Sequence, residues 1–351
     1  MKHVITVASL SLLSATLASS LSAAPATPDS DMAGVLSQLQ KLDPKPIETL
    51  TAKEARKQPT PADAVKAYLK ANDIKASPEK VGDVDNRSID GPGGNIKIRV
   101  YTPKGDGPFP VIVYYHGGGF VIADLDTYDS TPRALSNATN AVVVSSHYRQ
   151  APEHKFPASH EDAFATYRWV LSHAREIKGD ANRVAVAGES AGGNLAAAVC
   201  LMAKEQHVAL PVHQLLVYPV TDNDMETPSY KENADAKPLS KAMMAWFFKN
   251  EAAPSDANDP RLALLKKADV KGMPPATVIT AQIDPLRSEG EAFAQKLKAA
   301  GVPVNYRNFD GATHEFFGMS AAVAKAKEAV TFAATDLNKA FSKAPMVKAA
   351  E

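Results

Sequence analysis

Apolar and polar positions follow two periods along this chain. Five runs are nearly continuous in apolar residues, at 111–115, 141–145, 183–187, 214–218 and 276–281. Runs of that length read as strands buried on both faces. Residues 95–101 alternate apolar and polar, the pattern of a half-exposed strand, and residues 304–309 are also strand-like. Helical spacing appears at 162–173, 192–205 and 289–300. Strands alternating with helices predict an α/β fold with a mainly parallel sheet and helices on both faces. Two further helical stretches, 32–40 and 61–71, precede the first strand and read as an appendage, with a proline-rich joint at Asp43-Pro44-Lys45-Pro46 between them. The alternation breaks between 222 and 262, where the pattern predicts no strand but one apolar helix over 242–248. An insertion there reads as the roof of a site over the strand ends, or as an ordinary packing helix. No internal repeat is present.

Composition narrows the class. Of 351 residues, 45% are hydrophobic and 22% charged, as in a soluble globular enzyme. Lysine plus arginine and aspartate plus glutamate each number 39, so no basic footprint for nucleic acid exists. The first residues differ: Lys2, an apolar stretch over 4–21, then Ser22-Ala23-Ala24-Pro25-Ala26. This predicts a signal peptide over 1–26, export to the periplasm or medium, and no stable membrane anchor after cleavage. The competing reading is a membrane-spanning helix, which the interspersed serines weaken. Cys200 is the sole cysteine, so no internal disulfide forms.

The chemistry gathers where strands end. Residues 183–187 run into Gly188-Glu189-Ser190-Ala191-Gly192 and then an alanine-rich helix. A strand entering a helix through this motif makes a sharp turn that projects the serine hydroxyl, and Ser190 becomes a candidate nucleophile. A serine hydroxyl needs a base. His314, after the strand at 304–309 and an expected loop over 310–313, is the best placed of nine histidines. Asp284, just past the strand at 276–281, is placed to orient that histidine, a role compatible with capping the helix after Pro285. The order Ser190, Asp284, His314 is that of a triad on an α/β-hydrolase sheet. His116-Gly117-Gly118-Gly119-Phe120 follows the strand at 111–115, and its glycines leave backbone N–H groups uncovered. Gly118, Gly119 and Ala191 are the candidate oxyanion donors, with His116 bracing the loop. Phe120, Met243, Met244, Trp246 and Phe247 are candidates for the wall of an acyl pocket, although core packing fits the spacing of the helical residues equally well.

These residues resemble the hormone-sensitive-lipase family of α/β-hydrolases, in its bacterial carboxylesterase branch. The likeness rests on HGGGF at 116–120, YRQAPEHKFPA at 148–158, GESAGG at 188–193, DPLRSEG at 284–290 and the His314 loop. It implies an eight-stranded sheet with a helical cap. The cap would come from 27–75 and 222–262, and the catalytic core from 76–221 and 263–351. Three positions depart from the family's usual pattern: Glu189 replaces an aspartate, Glu315 a glycine, and Ser288 a second aspartate. Glu189 and Glu315 either add negative charge beside the histidine or point away.

The expectation is ester hydrolysis through an acyl-enzyme, on short- to medium-chain acyl esters as the resemblance implies. No metal or organic cofactor is called for; His314-Glu315 does not extend to a zinc-binding HExxH. The partner is a small-molecule ester, and homo-oligomerisation stays open. The alternatives are an amidase or peptidase using the same triad, or a non-catalytic binding member of the fold.

Overall fold

The computed structural model describes residues 26–344. The expected signal peptide, Ala26 apart, lies outside the described residues. Three helices open the described chain: α1 (Ser30–Lys41), α2 (Ala52–Ala55) and α3 (Pro61–Ala71). Capping boxes start the last two, Thr51 with Glu54 and Thr60 with Asp63, and Pro61 occupies a first-turn position whose N–H would be unpaired anyway.

The sheet follows. Strands β1 (Asp83–Gly91), β2 (Gly94–Thr102) and β3 (Phe109–Tyr115) lead into α4 (Ser130–Thr139) and β4 (Val142–His147). Then come α5 (Ala158–His173), β5 (Gly179–Glu189), α6 (Ala191–Glu205) and β6 (Gln214–Val217). An inserted segment carries α7 (Pro228–Glu232) and α8 (Lys241–Glu251), and α9 (Leu264–Lys267) leads back to the sheet. The chain closes with β7 (Ala276–Ile283), α10 (Arg287–Ala299), β8 (Val304–Thr313) and α11 (Ala324–Lys343). The eight strands lie in the order β1-β2-β4-β3-β5-β6-β7-β8. Only β2 runs against the others, pairing antiparallel with β1 and β4. The parallel strands therefore all end at one edge of the sheet.

Strand alternation sorts the core. Val111, Val113 and Tyr115 of β3 pack on one face with α5, α6 and α10 through Phe164, Leu195 and Phe293. Ile112 and Tyr114 point to the other face, against α1, α4 and α11 through Val35, Leu135 and Leu337. Each such buried apolar side chain stabilises the fold by about 1.5–3 kcal/mol. Helix α6 is buried along almost its whole length, and its small residues Ala196, Ala197 and Ala198 let it lie close under the centre of the sheet.

A third apolar cluster joins the roof to the core. Ile47, Ala52 and Ala55 meet Leu239, Met244 and Phe247 of the insertion over Val121 and Leu286. The Trp246 indole donates to the Leu50 carbonyl at 3.2 Å. Arg56 donates to the carbonyls of Val121 and Ala151 at 2.8 Å each and pairs with Glu153. Helix α1 behaves differently from the roof segments. Met32 and Val35 belong to the core on the α11 face, and Asp31 accepts from the Ala324 N–H at 2.8 Å.

Candidate active site

Four strand ends build the site. After β5 the chain turns within one residue: Ser190 has φ 57° and ψ −119°, and α6 begins at Ala191. The Val217 carbonyl of the neighbouring strand accepts the Ser190 N–H at 2.9 Å and locks the turn. A side chain at Gly192 would run into the Tyr115 and His116 carbonyls, which explains the glycine two residues after the serine. The Ser190 hydroxyl does not cap α6, so helix formation leaves it uncommitted. It sits, 4% exposed, at the floor of a cavity of about 880 Å³ that His314 also lines.

Sheet register brings Asp284 and His314 together. Strand β8 runs on to Thr313, so residues 310–313, expected as a loop, are strand. An irregularity in the β7–β8 pairing places Ile283 opposite Thr313, and the next residues are therefore Asp284 and His314. His314 Nδ1 donates to Asp284 Oδ2 at 2.7 Å, while Asp284 Oδ1 accepts the Leu286 N–H at 2.8 Å. A carboxylate can only accept, so Nδ1 carries the proton and Nε2 is left as the free, basic nitrogen. Burial opposes a charge on the ring, but Asp284, Glu315 and Glu189 outweigh it and raise the His314 pKa above its ordinary 6.5.

The glycine loop after β3 carries the third part. Gly118 and Gly119 have φ 101° and 57°, and a side chain at Gly119 would strike the Phe247 ring of α8. Their N–H groups find no acceptor among the described residues, and both glycines line the cavity. Ala191 opens α6, where first-turn N–H groups lack intrahelical partners. His116 braces this loop. It stacks on Tyr148 at 4.5 Å between centroids, and its Nδ1 donates to the Gly117 carbonyl at 2.7 Å. Burial and the neighbouring His147 push its pKa down to about 3, so it is neutral.

The pocket candidates divide. Met243 and Phe247 line the cavity. Phe120, Met244 and Trp246 are placed elsewhere. Phe120 is buried against the His160 ring, Met244 is in the cluster between roof and core, and Trp246 is tied to Leu50. Helical phase separates Met243 from Met244, since adjacent residues of a helix point about 100° apart.

Residue-type reasoning missed three tyrosines. Tyr114 donates to Glu189 Oε1 at 2.5 Å, Tyr218 donates to Glu189 Oε2, and Tyr128 donates to both Glu315 oxygens at 2.6 and 2.7 Å. Glu189 is fully buried, and burial followed by the Glu315 charge pushes its pKa up to about 7. No motif marks these tyrosines; only the fold brings them to the two glutamates.

Fold and site together define an α/β hydrolase. A family model described as the alpha/beta hydrolase fold matches residues 112–318. Esterase LipI of Mycobacterium tuberculosis is 42% identical over 247 residues, covering 69% of this chain and 77% of that protein. An ethyl acetate hydrolase of Pseudomonas putida is 33% identical over 288 residues, covering 81% and 88%. Among solved structures, the hyperthermophilic esterase of the archaeon Pyrobaculum calidifontis superposes with a TM-score of 0.81 at 36% identity, covering 89% of this chain and 98% of that one. The chain belongs to the hormone-sensitive-lipase-like family of α/β hydrolases.

Proposed function

We propose that this chain is a serine carboxylesterase acting on short- to medium-chain acyl esters through an acyl-enzyme. One observation carries the reading: the uncapped hydroxyl of Ser190 and the Asp284-paired His314 line the same cavity beside the N–H groups of Gly118 and Gly119, which find no acceptor among the described residues. The names of the relatives, among them an ethyl acetate hydrolase, support ester chemistry on small acyl groups.

The chemistry runs in two halves. Ser190 Oγ attacks the ester carbonyl carbon while its proton passes to His314 Nε2. The carbonyl oxygen, now anionic, is held by the N–H groups of Gly118, Gly119 and Ala191, donors fixed before the reaction starts. The tetrahedral intermediate collapses, the proton moves from Nε2 to the leaving alcohol, and the acyl group stays on Ser190. Water then repeats the sequence and frees the acid. Ser190 makes no side-chain hydrogen bond to His314; in serine hydrolases such contacts commonly tighten only with substrate bound. The leader-like pattern over 1–26 supports export of the mature protein.

A panel of matched nitrophenyl esters and one matched anilide tests the reading. Turnover is expected to peak for acyl chains of about two to eight carbons, the range that the family resemblance implies. A peak on long-chain triglycerides would refute the chain-length claim, and anilide turnover at the ester rate would make the protein an amidase. The pH profile gives a second check. The base must be unprotonated, so kcat/KM is expected to rise with pH along a limb centred above about 6.5, because the three carboxylates raise the imidazole pKa. A profile flat from about pH 5 to 8 would count against His314 as the base.

A further inference from the structure

Glu315 follows His314 and sits on the opposite side of the ring from Asp284. Its Oε1 is 3.8 Å from Nε2, the nitrogen that exchanges protons with substrate. Its backbone is left-handed, φ 69°, a conformation that glycine adopts more readily. That backbone aims the carboxylate at the cavity, which it lines, and the Tyr128 hydroxyl clamps both its oxygens. Among the described residues no lysine or arginine pairs with it within 4.0 Å; its ion-pair contact is His314 itself. The ring is thus surrounded by Asp284 beyond β7, Glu189 at the end of β5, Glu315, and the Tyr218 ring at 4.4 Å between centroids. No cation faces it from these elements.

We propose that Glu315 is a positioning residue for His314, a second carboxylate on the Nε2 side that stabilises the imidazolium formed during acyl transfer. The proposal rests on the esterase reading above. As the Ser190 Oγ–carbon bond forms, its proton moves to Nε2 and the ring becomes a cation between two carboxylates. As the bond to the leaving oxygen breaks, that proton passes to the leaving alkoxide, and Glu315 itself is unchanged. At 3.8 Å the carboxylate is too far to hydrogen-bond, so it acts on the ring through charge alone. The raised His314 pKa, to which Asp284, Glu315 and Glu189 contribute in that order against burial, agrees in direction.

An NMR titration of the His314 ring in the wild type, Glu315→Gln and Glu315→Gly tests this, alongside kcat/KM profiles of the same three proteins. Glutamine keeps the size and the Tyr128 contact; glycine removes the side chain and suits φ 69° better, so failure to fold is guarded against. Both variants are expected to lower the ring pKa by about one unit, the low end for a charge at this range, and to move the acid limb of the profile down with it. A ring pKa and limb unmoved in both variants would overturn the proposal, and so would a rate loss equal at every pH. Should the wild type hydrolyse no ester, the esterase reading falls, while the ring titration still reports whether Glu315 acts on His314.

Discussion

Ser190→Ala is expected to lower kcat on a short-chain ester by a factor on the order of 10⁶, the cost of removing the nucleophile from another serine triad. The loss should be chemical and not structural. The Ser190 hydroxyl makes no capping bond to α6, so its removal leaves no orphaned donor or acceptor, and the turn is held by the backbone bond from Ser190 N–H to Val217. The melting temperature should therefore stay close to that of the wild type. Residual turnover about 10³–10⁴ above the water rate is expected, because the donors at Gly118, Gly119 and Ala191 still polarise a bound carbonyl. A fluorophosphonate should label the wild type on Ser190 and leave the variant unlabelled. Turnover near the wild-type rate, or a label on another residue, would show that the strand-to-helix turn does not supply the nucleophile.

The fold was legible wherever burial writes a simple period. The five apolar runs fall on β3, β4, β5, β6 and β7, with only Ala141 and Tyr218 one residue outside their strands, because a central parallel strand buries both faces and leaves little room for polar residues. The helix at 61–71 was readable to the residue, since Thr60 and Pro61 announce its start. Helix α4 was not read: it is rich in Ser, Thr and Asn, residues that compete with helical hydrogen bonds, and only its packing against β4 and α11 makes it a helix. Helix α11 went unread for another reason. Its inward face is mostly alanine, at Ala326, Ala329 and Ala333, and small residues register weakly as a hydrophobic stripe. The end of β8 resembles a turn in sequence because of Asp310 and Gly311, yet the irregular β7–β8 register, which passes from Ala281–Phe309 to Ile283–Thr313, is what delivers His314 to Asp284. Serine, aspartate, histidine and glycine loop could be found in the sequence because each follows a strand-like run. The tyrosines on Glu189 and Glu315 could not, since they come from positions 114, 128 and 218, which the chain meets only after folding.

Asp284→Asn should cost about 10⁴ in kcat, more than any removal of a remote charge, and the reason lies in the hydrogen bonds at its two oxygens. Oδ2 accepts from His314 Nδ1 at 2.7 Å and Oδ1 accepts from the Leu286 N–H at 2.8 Å. An asparagine has one acceptor and one donor end. If its NH₂ faces Leu286, two donors collide inside a fully buried site. If its NH₂ faces His314 instead, Nδ1 must accept, the ring proton moves to Nε2, and the base is lost. The second arrangement keeps the backbone contact to Leu286, so the wrong tautomer is the expected ground state. Ser190 should then react with a fluorophosphonate far more slowly, since nothing takes its proton, while binding of a neutral ester changes little and KM stays near the wild-type value. Glu315 cannot substitute for Asp284: it faces Nε2, not Nδ1, and lies beyond hydrogen-bond range. A loss smaller than about tenfold in kcat would mean that another group sets the tautomer of His314, and the assignment of Asp284 would have to be given up.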